Sequence, residues 1–524
     1  MMRTIVIGGG IAGLATASLL AREGREVTLL ESAATVGGRA GSWEQDGFRF
    51  DTGPSWYLMP EVFEHFYRLH GTTAAEQLDL VQLDPGYRVY FEGHHEPVDI
   101  AAGRAENLAV FEGIEPGAGE ALDRYLVSAE STYHDAVDRF LYTSFASMRP
   151  FASRELLGKA GRLARLLLRP LDRFAASYVS DNRLRQILGY PAVFLGSSPT
   201  MTPAMYHLMS YLDLDEGVLY PRGGFTRVIA SIADLARESG VRIVTDARVT
   251  AIRTTPGARA SVAGVDYVHD GQTVSLNADE VVSAADLHHT ETELVAPEHR
   301  SYPERWWRRR TSGPGAVLVM LGVRGELPEL SHHTLFFTED WDENFGRIFA
   351  SEASIPEPAS FYACKPSATD DDVAPDGDSN LFLLIPVPAD PGIGRGGVDG
   401  SGDSQVELVA DLAIRRLSEW AGIPDLAERV VVRRTVGPGD FAADLNSWKG
   451  GALGPAHTLG QSAMLRGSNA SKRVTGLYYA GGSTIPGIGL PMCLISAEIL
   501  LKRLRGDTST SPLPEPARDG APAR

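Results

Sequence analysis

The chain opens with branched apolar residues from Arg3 to Ile7, in the manner of a buried strand. Apolar positions then recur at helical spacing from Ile11 to Glu23, and Val27 to Leu30 is a second apolar run. This pattern predicts a strand–turn–helix–strand unit. Signals of the same kind return twice. Phe225 to Ser239 reads as a helix, followed by strands around Val241 to Val244 and Val249 to Ile252 and by a further strand and helix start in ADEVVSAADLHHTE. Near the C-terminus, GLYYAGGSTIPGIGLPMCLISAEILLKRL reads as strand, glycine-proline turn and helix. The stretches between these pieces differ. Gly86 to Ile100 and Gly315 to Pro388 hold short apolar runs (RVYF, GAVLVMLGV, TLFFTED, LFLLIPVP) broken by turn residues, which predicts an antiparallel sheet. Gly103 to Gly217 is mostly helical in pattern. Pro391 to Ser404 reads as a flexible loop, and the Pro-, Ser- and Ala-rich stretch from Gly506 to Arg524 as disordered.

Chemistry enters at the first turn. Gly8, Gly10 and Gly13 fall on a G-x-G-x-x-G pattern where strand passes into helix. There the first glycine permits the tight turn, the second admits a pyrophosphate to the backbone, and the third lets helix and strand pack closely. The helix N-terminus faces such a ligand with unpaired N–H groups and a partial positive charge. Glu31 ends the second strand at the spacing of an acid that accepts from a ribose 2'-hydroxyl, which disfavours a phosphate there and leaves NAD or FAD.

Composition narrows the class. A chain of 524 residues exceeds one compact core and implies two or three domains. A net charge of -18 argues against nucleic acid as a partner. Cys364 and Cys493 lie far apart without metal-like spacing, so no metal site is expected and a reducing cytoplasm fits. No basic leader with a cleavage site precedes the first strand, and no apolar run approaches the roughly 18 residues of a spanning helix.

Further along, VGGRAG with Gly37, Gly38 and Arg39, then GFRFDTGPSW, resembles the second glycine doublet of flavoproteins in the glutathione reductase, amine oxidase and carotenoid desaturase group. A second close backbone approach plus one guanidinium would neutralise the pyrophosphate of a large cofactor. GPSWYLMPEVF, YPAVFLGSSP, LYPRGGF, YACKPSATDDDVAPDGDSNLFLLIPVP, HTLGQS and GGSTIPGIGLP extend the likeness. Along nearly its whole length the chain resembles the bacterial carotenoid desaturases of the phytoene desaturase type. Two positions depart from the family pattern: Ile485 stands where a polar residue usually precedes Pro-Gly, and Ile488 where a small one is usual.

The resemblance implies an α/β fold with three parts. These are a discontinuous Rossmann-type FAD-binding domain (1–80, 218–295 and 440–505), an antiparallel-sheet substrate domain (81–102 and 296–439), and a helical, membrane-facing segment (103–217). It implies FAD-dependent removal of two hydrogens from a CH2–CH2 unit of a polyene precursor such as phytoene, with oxygen or a quinone reoxidising the flavin. A substrate of thirty carbons or a later carotenoid intermediate is an alternative, as is a flavin-dependent isomerase. The resemblance also implies an adenine contact through backbone near Val249, and a flavin contact at Gly481, Gly482, Gly489, Leu490, Pro491 and Met492. Tyr220, Pro221, Gly223 and Gly224 would line a substrate channel, or form only the turn entering the next helix. Asp286 is the weak candidate for a base, with helix capping as the simpler role; flavin itself would carry the chemistry.

One further pattern bears on location. From Arg154 to Arg173, Leu156, Ala160, Leu163, Leu167 and Leu171 follow helical spacing, with Arg162, Arg165 and Arg169 opposite. Such a helix suits a bilayer interface, so peripheral attachment to the cytoplasmic membrane is expected from a substrate that resides there.

Overall fold

The structure is a computed structural model and describes residues 1–147, 154–256 and 260–516. Five parallel strands form the first sheet, in the spatial order Leu477–Tyr479, Glu280–Ser283, Arg3–Ile7, Glu26–Leu30, Arg242–Val244. The apolar runs are continuous because both faces are covered. Val6, Leu29 and Val282 point toward helices Ile11–Arg22, Gly224–Glu238 and Leu490–Arg505. Ile5, Ile7, Leu30 and Val281 point the other way, into the three antiparallel strands Arg248–Thr255, Ala260–His269 and Gln272–Asn277. The strands are drawn from three distant parts of the chain, so the core closes only when all three meet.

A second sheet has seven strands, ordered Val430–Val436, Gly315–Val323, Ser379–Val387, Phe361–Cys364, His333–Phe337, Tyr87–Phe91, Val98–Ile100. Purely antiparallel pairing was the expectation. One pair, His333–Phe337 with Tyr87–Phe91, is parallel, because those strands lie far apart in the chain and need no hairpin between them. Gly315–Val323 is buried throughout. Its odd positions, such as Val317 and Val319, pack toward helix Ser404–Ala421, and its even positions, Leu318 and Met320, toward Phe48 and Phe50. The helices of 103–217 cover the other end of this sheet, with Tyr125, Leu184 and Leu214 against Tyr87 and Phe337.

Three expected features take a definite form in the fold. Helix Arg154–Leu168 is present, with Leu166 buried in the helical layer and Leu171 buried in the following helix, Leu171–Ala175, and Arg162 donates to Ser128 and Ser131 of helix Ala118–Ala136. Of the expected apolar stripe Leu163 and Leu167 are half-buried; the side chains of Leu156 and Ala160 lie outside the described residues. No described helix is long and apolar enough to cross a membrane. Residues 506–516 are docked: Leu513 is buried, and Lys502 Nζ donates to the Ser509 carbonyl at 3.0 Å. Residues 517–524 of the expected disordered tail lie outside the described residues. The glycine-rich loop is pinned as well, since Gly397 exchanges hydrogen bonds with Thr435.

Candidate functional site

The first glycine turn leaves strand Arg3–Ile7 at the carboxyl end of the parallel sheet, where open α/β sheets hold ligands. A Cβ on Gly13 would stand 1.9 Å from the Gly8 carbonyl oxygen, so any side chain there would force helix and turn apart. Gly10 caps helix Ile11–Arg22 with no side-chain partner, leaving the first helical N–H groups open. The second doublet lies against the first: Gly37 N–H donates to the Gly9 carbonyl at 2.9 Å, and a Cβ on Gly38 would meet the Gly10 Cα at 3.3 Å. Two side-chain-free backbones thus face one another. Glu31 is buried, and its carboxylate accepts from Gly9 N–H at 2.5 Å and Ala33 N–H at 2.8 Å. Arg39 donates to the Ala452 carbonyl and to Ser447, both at 2.9 Å, which ties the doublet to the C-terminal segment.

Beside this turn is a cavity of about 280 Å³ lined by Gly8, Leu30, Ser32, Val249, Ala285 and Leu294. Val249 is on its wall. Asp286, three residues past strand Glu280–Ser283, caps the short helix Leu287–His289 by accepting from His288 N–H at 2.8 Å. The capping role is the one the geometry gives it.

The C-terminal turn leaves the same carboxyl edge of the sheet, beside the first helix. Gly481 and Gly482 follow strand Leu477–Tyr479, and Gly489 caps helix Leu490–Arg505 without a side-chain partner. Gly489 is exposed and Leu490, Pro491 and Met492 are half-buried, so this helix N-terminus is open. Ile485 and Ile488 are buried, and so supply no polar group to the turn. A Cβ on Gly487 would stand 2.2 Å from Nε2 of His457. His457 was not expected here; burial pushes its pKa far below the usual imidazole range, so it is neutral. Arg466 was also missed. Its guanidinium is buried and donates to the Gly482 carbonyl at 2.6 Å and the Pro455 carbonyl at 3.0 Å, with no carboxylate partner among the described residues. Burial lowers its pKa to about 10, which leaves it charged at neutral pH. The sequence signal was a lone arginine inside an otherwise uncharged stretch, from His457 to Asn469.

LYPRGG is held by two carboxylates. Asp370 accepts from Tyr220 Oη–H at 3.0 Å and from Gly223 N–H at 2.7 Å. Burial opposes its ionisation, but these donors with Asp372 N–H keep its pKa below the usual range. Asp51 accepts from Phe225 N–H at 2.7 Å and from both donors of Thr226, capping helix Gly224–Glu238. Burial of its carboxyl outweighs these bonds and raises its pKa. Pro221 lies in strand Leu219–Pro221, paired with Leu80–Gln82. The turn into the helix is what the geometry makes of this stretch, and the Tyr220 ring meets that of His332 at 4.4 Å between centroids, tilted by 56°. His332, His333 and Cys364 form the one metal-type cluster among the described residues, with ligand atoms within 4.8 Å of one another. Chain separation hid it from a spacing argument.

Deeper in the helical layer, Asp213 accepts from Tyr190 Oη–H at 2.5 Å and Tyr87 Oη–H at 3.1 Å. Burial raises its pKa to about 7.

Two glycine cradles on the carboxyl edge of one parallel sheet, with a buried acid at the end of the second strand, define a dinucleotide-binding flavoprotein of the amine oxidase type. Residues 11–499 match the flavin containing amine oxidoreductase family, and the chain belongs to it. It is 41% identical over 493 residues to a carotenoid 3,4-desaturase of Haloarcula japonica, covering 94% of this chain and 96% of that one. It is 33% identical over 508 residues to a zeta-carotene-forming phytoene desaturase of Myxococcus xanthus, covering 96% and 93%. The chain is thus a carotenoid desaturase by family, an oxidoreductase with FAD as cofactor. Two solved structures share the fold: an oxidoreductase from Methanosarcina mazei (TM-score 0.60, 17% identity, 96% of this chain and 100% of that one) and putrescine oxidase bound to putrescine (TM-score 0.60, 13% identity, 96% and 99%).

Proposed function

We propose that the protein removes hydrogen from a CH2–CH2 unit of an acyclic carotenoid precursor, with phytoene as the first substrate to test. FAD supplies the acceptance of two electrons when bound. The observation that carries the reading is the convergence of the two cradles: a Cβ on Gly481 would meet Ala12 Cβ of the first helix at 3.3 Å, so one extended ligand spans both. In this reading Gly8, Gly10, Gly13 and Gly38 seat the pyrophosphate, Arg39 adds a positive charge, Glu31 accepts from the ribose and Val249 backs the adenine. Gly481, whose own N–H is held by Ser496 Oγ, and Gly482 bring bare backbone to the flavin end, and the helix start from Gly489 to Met492 faces it, where negative charge is favoured by the helix dipole. Arg466, pinned to the Gly482 carbonyl, adds a buried cation at the same place.

Tyr220, Pro221, Gly223 and Gly224 wall the substrate side. Their carboxylates are spent on the turn: Asp370 and Asp51 hold backbone and hydroxyl donors, which leaves neither free as a base. Loss of a proton from an allylic cation needs no strong base, so solvent serves. Oxygen or a quinone takes the electrons onward, and the polyene arrives from a membrane surface. A second reading, an already conjugated carotenoid as substrate, is favoured by the higher identity to the Haloarcula relative.

The test is the absorption of pigment from bacterial hosts expressing the protein, one making phytoene and one making a longer acyclic polyene. New long-wavelength bands in the first host support the proposal, and bands in the second alone support the second reading. Colourless extracts beside flavin-loaded protein, or a product with unchanged conjugation, would refute desaturation.

A further inference from the structure

His333 opens strand His333–Phe337 and stands directly across from Cys364, the last residue of strand Phe361–Cys364, in antiparallel register. That pairing puts both side chains on one face of the large sheet. His332 precedes the strand and continues the ladder, its carbonyl accepting from Lys365 N–H at 2.8 Å. One ring nitrogen of each histidine and Cys364 Sγ lie within 4.8 Å of one another. All three residues are shut away from solvent, His332 at 4% exposure, His333 at 0% and Cys364 at 2%.

The polar atoms of this cluster are incompletely used. His332 Nδ1 lies 2.8 Å from Thr369 Oγ1, and His333 Nδ1 lies 2.7 Å from Tyr362 Oη. The Nε2 atoms of both rings are buried with no hydrogen-bond partner, in rings whose centroids are 4.6 Å apart. Buried polar atoms are almost always paired, and two bare imidazole nitrogens are desolvated without compensation. With each Nδ1–H given to a hydroxyl, each Nε2 holds a lone pair. An imidazole oriented in this way by an outer partner is the usual form of a metal ligand.

The donor set selects the ion. One thiol and two imidazoles, with no carboxylate or carbonyl oxygen in the cluster, suit Zn2+ or Cu+ and not Mg2+, Ca2+ or Mn2+. Bonds of about 2.0 Å to nitrogen and about 2.3 Å to sulfur hold ligand atoms roughly 3.5 Å apart, so side-chain rotations that draw the three together by about 1 Å complete the set. The thiol proton leaves to solvent as the Cys364 sulfur binds, and nothing is oxidised or reduced. The surroundings are aromatic: Trp56 stacks on His333 at 4.6 Å, and Tyr220 meets His332. Asp370 is close enough to act on His332 through its charge, which offsets what a divalent ion leaves over.

We propose that His332, His333 and Cys364 bind one thiophilic metal ion, Zn2+ or Cu+, as a structural clamp. The ion joins two strands of the large sheet. Through Thr369 and its neighbour Asp370 it reaches Tyr220 and Gly223 of the turn into helix Gly224–Glu238, and through Tyr362 Oη it reaches Ser55 Oγ at 2.7 Å. The clamp is independent of which polyene the protein takes.

Because the ligands are buried, the ion is loaded as the chain folds. The full chain is expressed in medium supplemented with zinc or with copper, purified with its FAD, and passed over a chelating resin. One zinc or one copper per chain is expected by elemental analysis. X-ray absorption at the metal edge should show two nitrogen ligands at about 2.0 Å and one sulfur at about 2.3 Å. His332→Gln/His333→Gln and Cys364→Ser should keep FAD and lose at least about tenfold in metal content, while Cys493→Ser keeps its metal. The thermal midpoint of metal-loaded wild type should exceed that of metal-starved wild type by at least about 2 °C, a difference the two ligand variants lack. Zinc alone or copper alone upholds the site and identifies the ion. Metal-free wild type from both media overturns the proposal. So does an absorption edge without sulfur, which needs no variant to fold, and so does a metal content that survives His332→Gln/His333→Gln, which would assign the ion to the surface.

Discussion

Gly13→Ala puts the first cradle to the sharpest test. The added Cβ would stand 1.9 Å from the Gly8 carbonyl oxygen, where an ordinary contact needs about 3.5 Å. Helix and turn must therefore separate by well over an ångström, and neither is free to move. Gly8 N–H is bonded to the Leu30 carbonyl at 2.8 Å, and the helix is wedged between its two neighbours. Overpacking of this kind costs roughly 2 kcal/mol of stability. It also misaligns the N–H groups that a pyrophosphate would accept from; losing one or two charge-assisted bonds is worth about 3 kcal/mol, or about a hundredfold in FAD affinity. The assay is fluorescence titration of the apoprotein with FAD, with far-UV circular dichroism to show that the variant is folded. Gly24→Ala is the control, because a Cβ at Gly24 would meet nothing within 4 Å and the strain there is of φ alone. A folded Gly13→Ala protein that binds FAD as tightly as wild type, or a Gly24→Ala protein that fails equally, would refute the reasoning.

Three other outcomes follow from buried charge. Asp213 has a folded pKa of about 7, above its unfolded value, so the folded state holds the extra proton. Its contribution makes stability fall as pH rises from about 4 toward 7. Asp213→Asn keeps an acceptor for Tyr87 and Tyr190 and should flatten that part of the urea-midpoint profile relative to wild type; an unchanged slope would contradict it. Asp51→Ala removes the cap of helix Gly224–Glu238 and should cost about 2 kcal/mol in chemical denaturation. Arg466→Met leaves the Gly482 and Pro455 carbonyls without their donor, costing about 2 kcal/mol. It should also lower the midpoint potential of bound flavin in a dye-coupled titration, since a positive charge beside the reduced form is lost; an unchanged potential would place Arg466 outside the cofactor's field.

What the sequence determined by itself was local. Strand, turn and helix at Arg3 to Glu23, the acid at Glu31, the strand runs in Gly315 to Pro388 and the C-terminal glycine turn were all legible, because periodicity and turn chemistry act over a few residues. The pairing of glycine doublets, the parallel pair in the large sheet and the pinned loop after Pro391 were decided by tertiary structure. So were the roles of residues whose partners lie far off in the chain. Asp370 reaches Gly223 and Asp51 reaches Phe225 only once both sheets are assembled. The helix at Arg154 makes the same point in reverse. Its amphipathic pattern was read correctly, but a pattern says that one side is apolar and not what covers it; in the fold Leu166 meets the helical layer while Leu168 is exposed. Exposed apolar side chains such as Met464 and Leu465 had no periodic signature at all, because exposure depends on what the rest of the chain leaves uncovered.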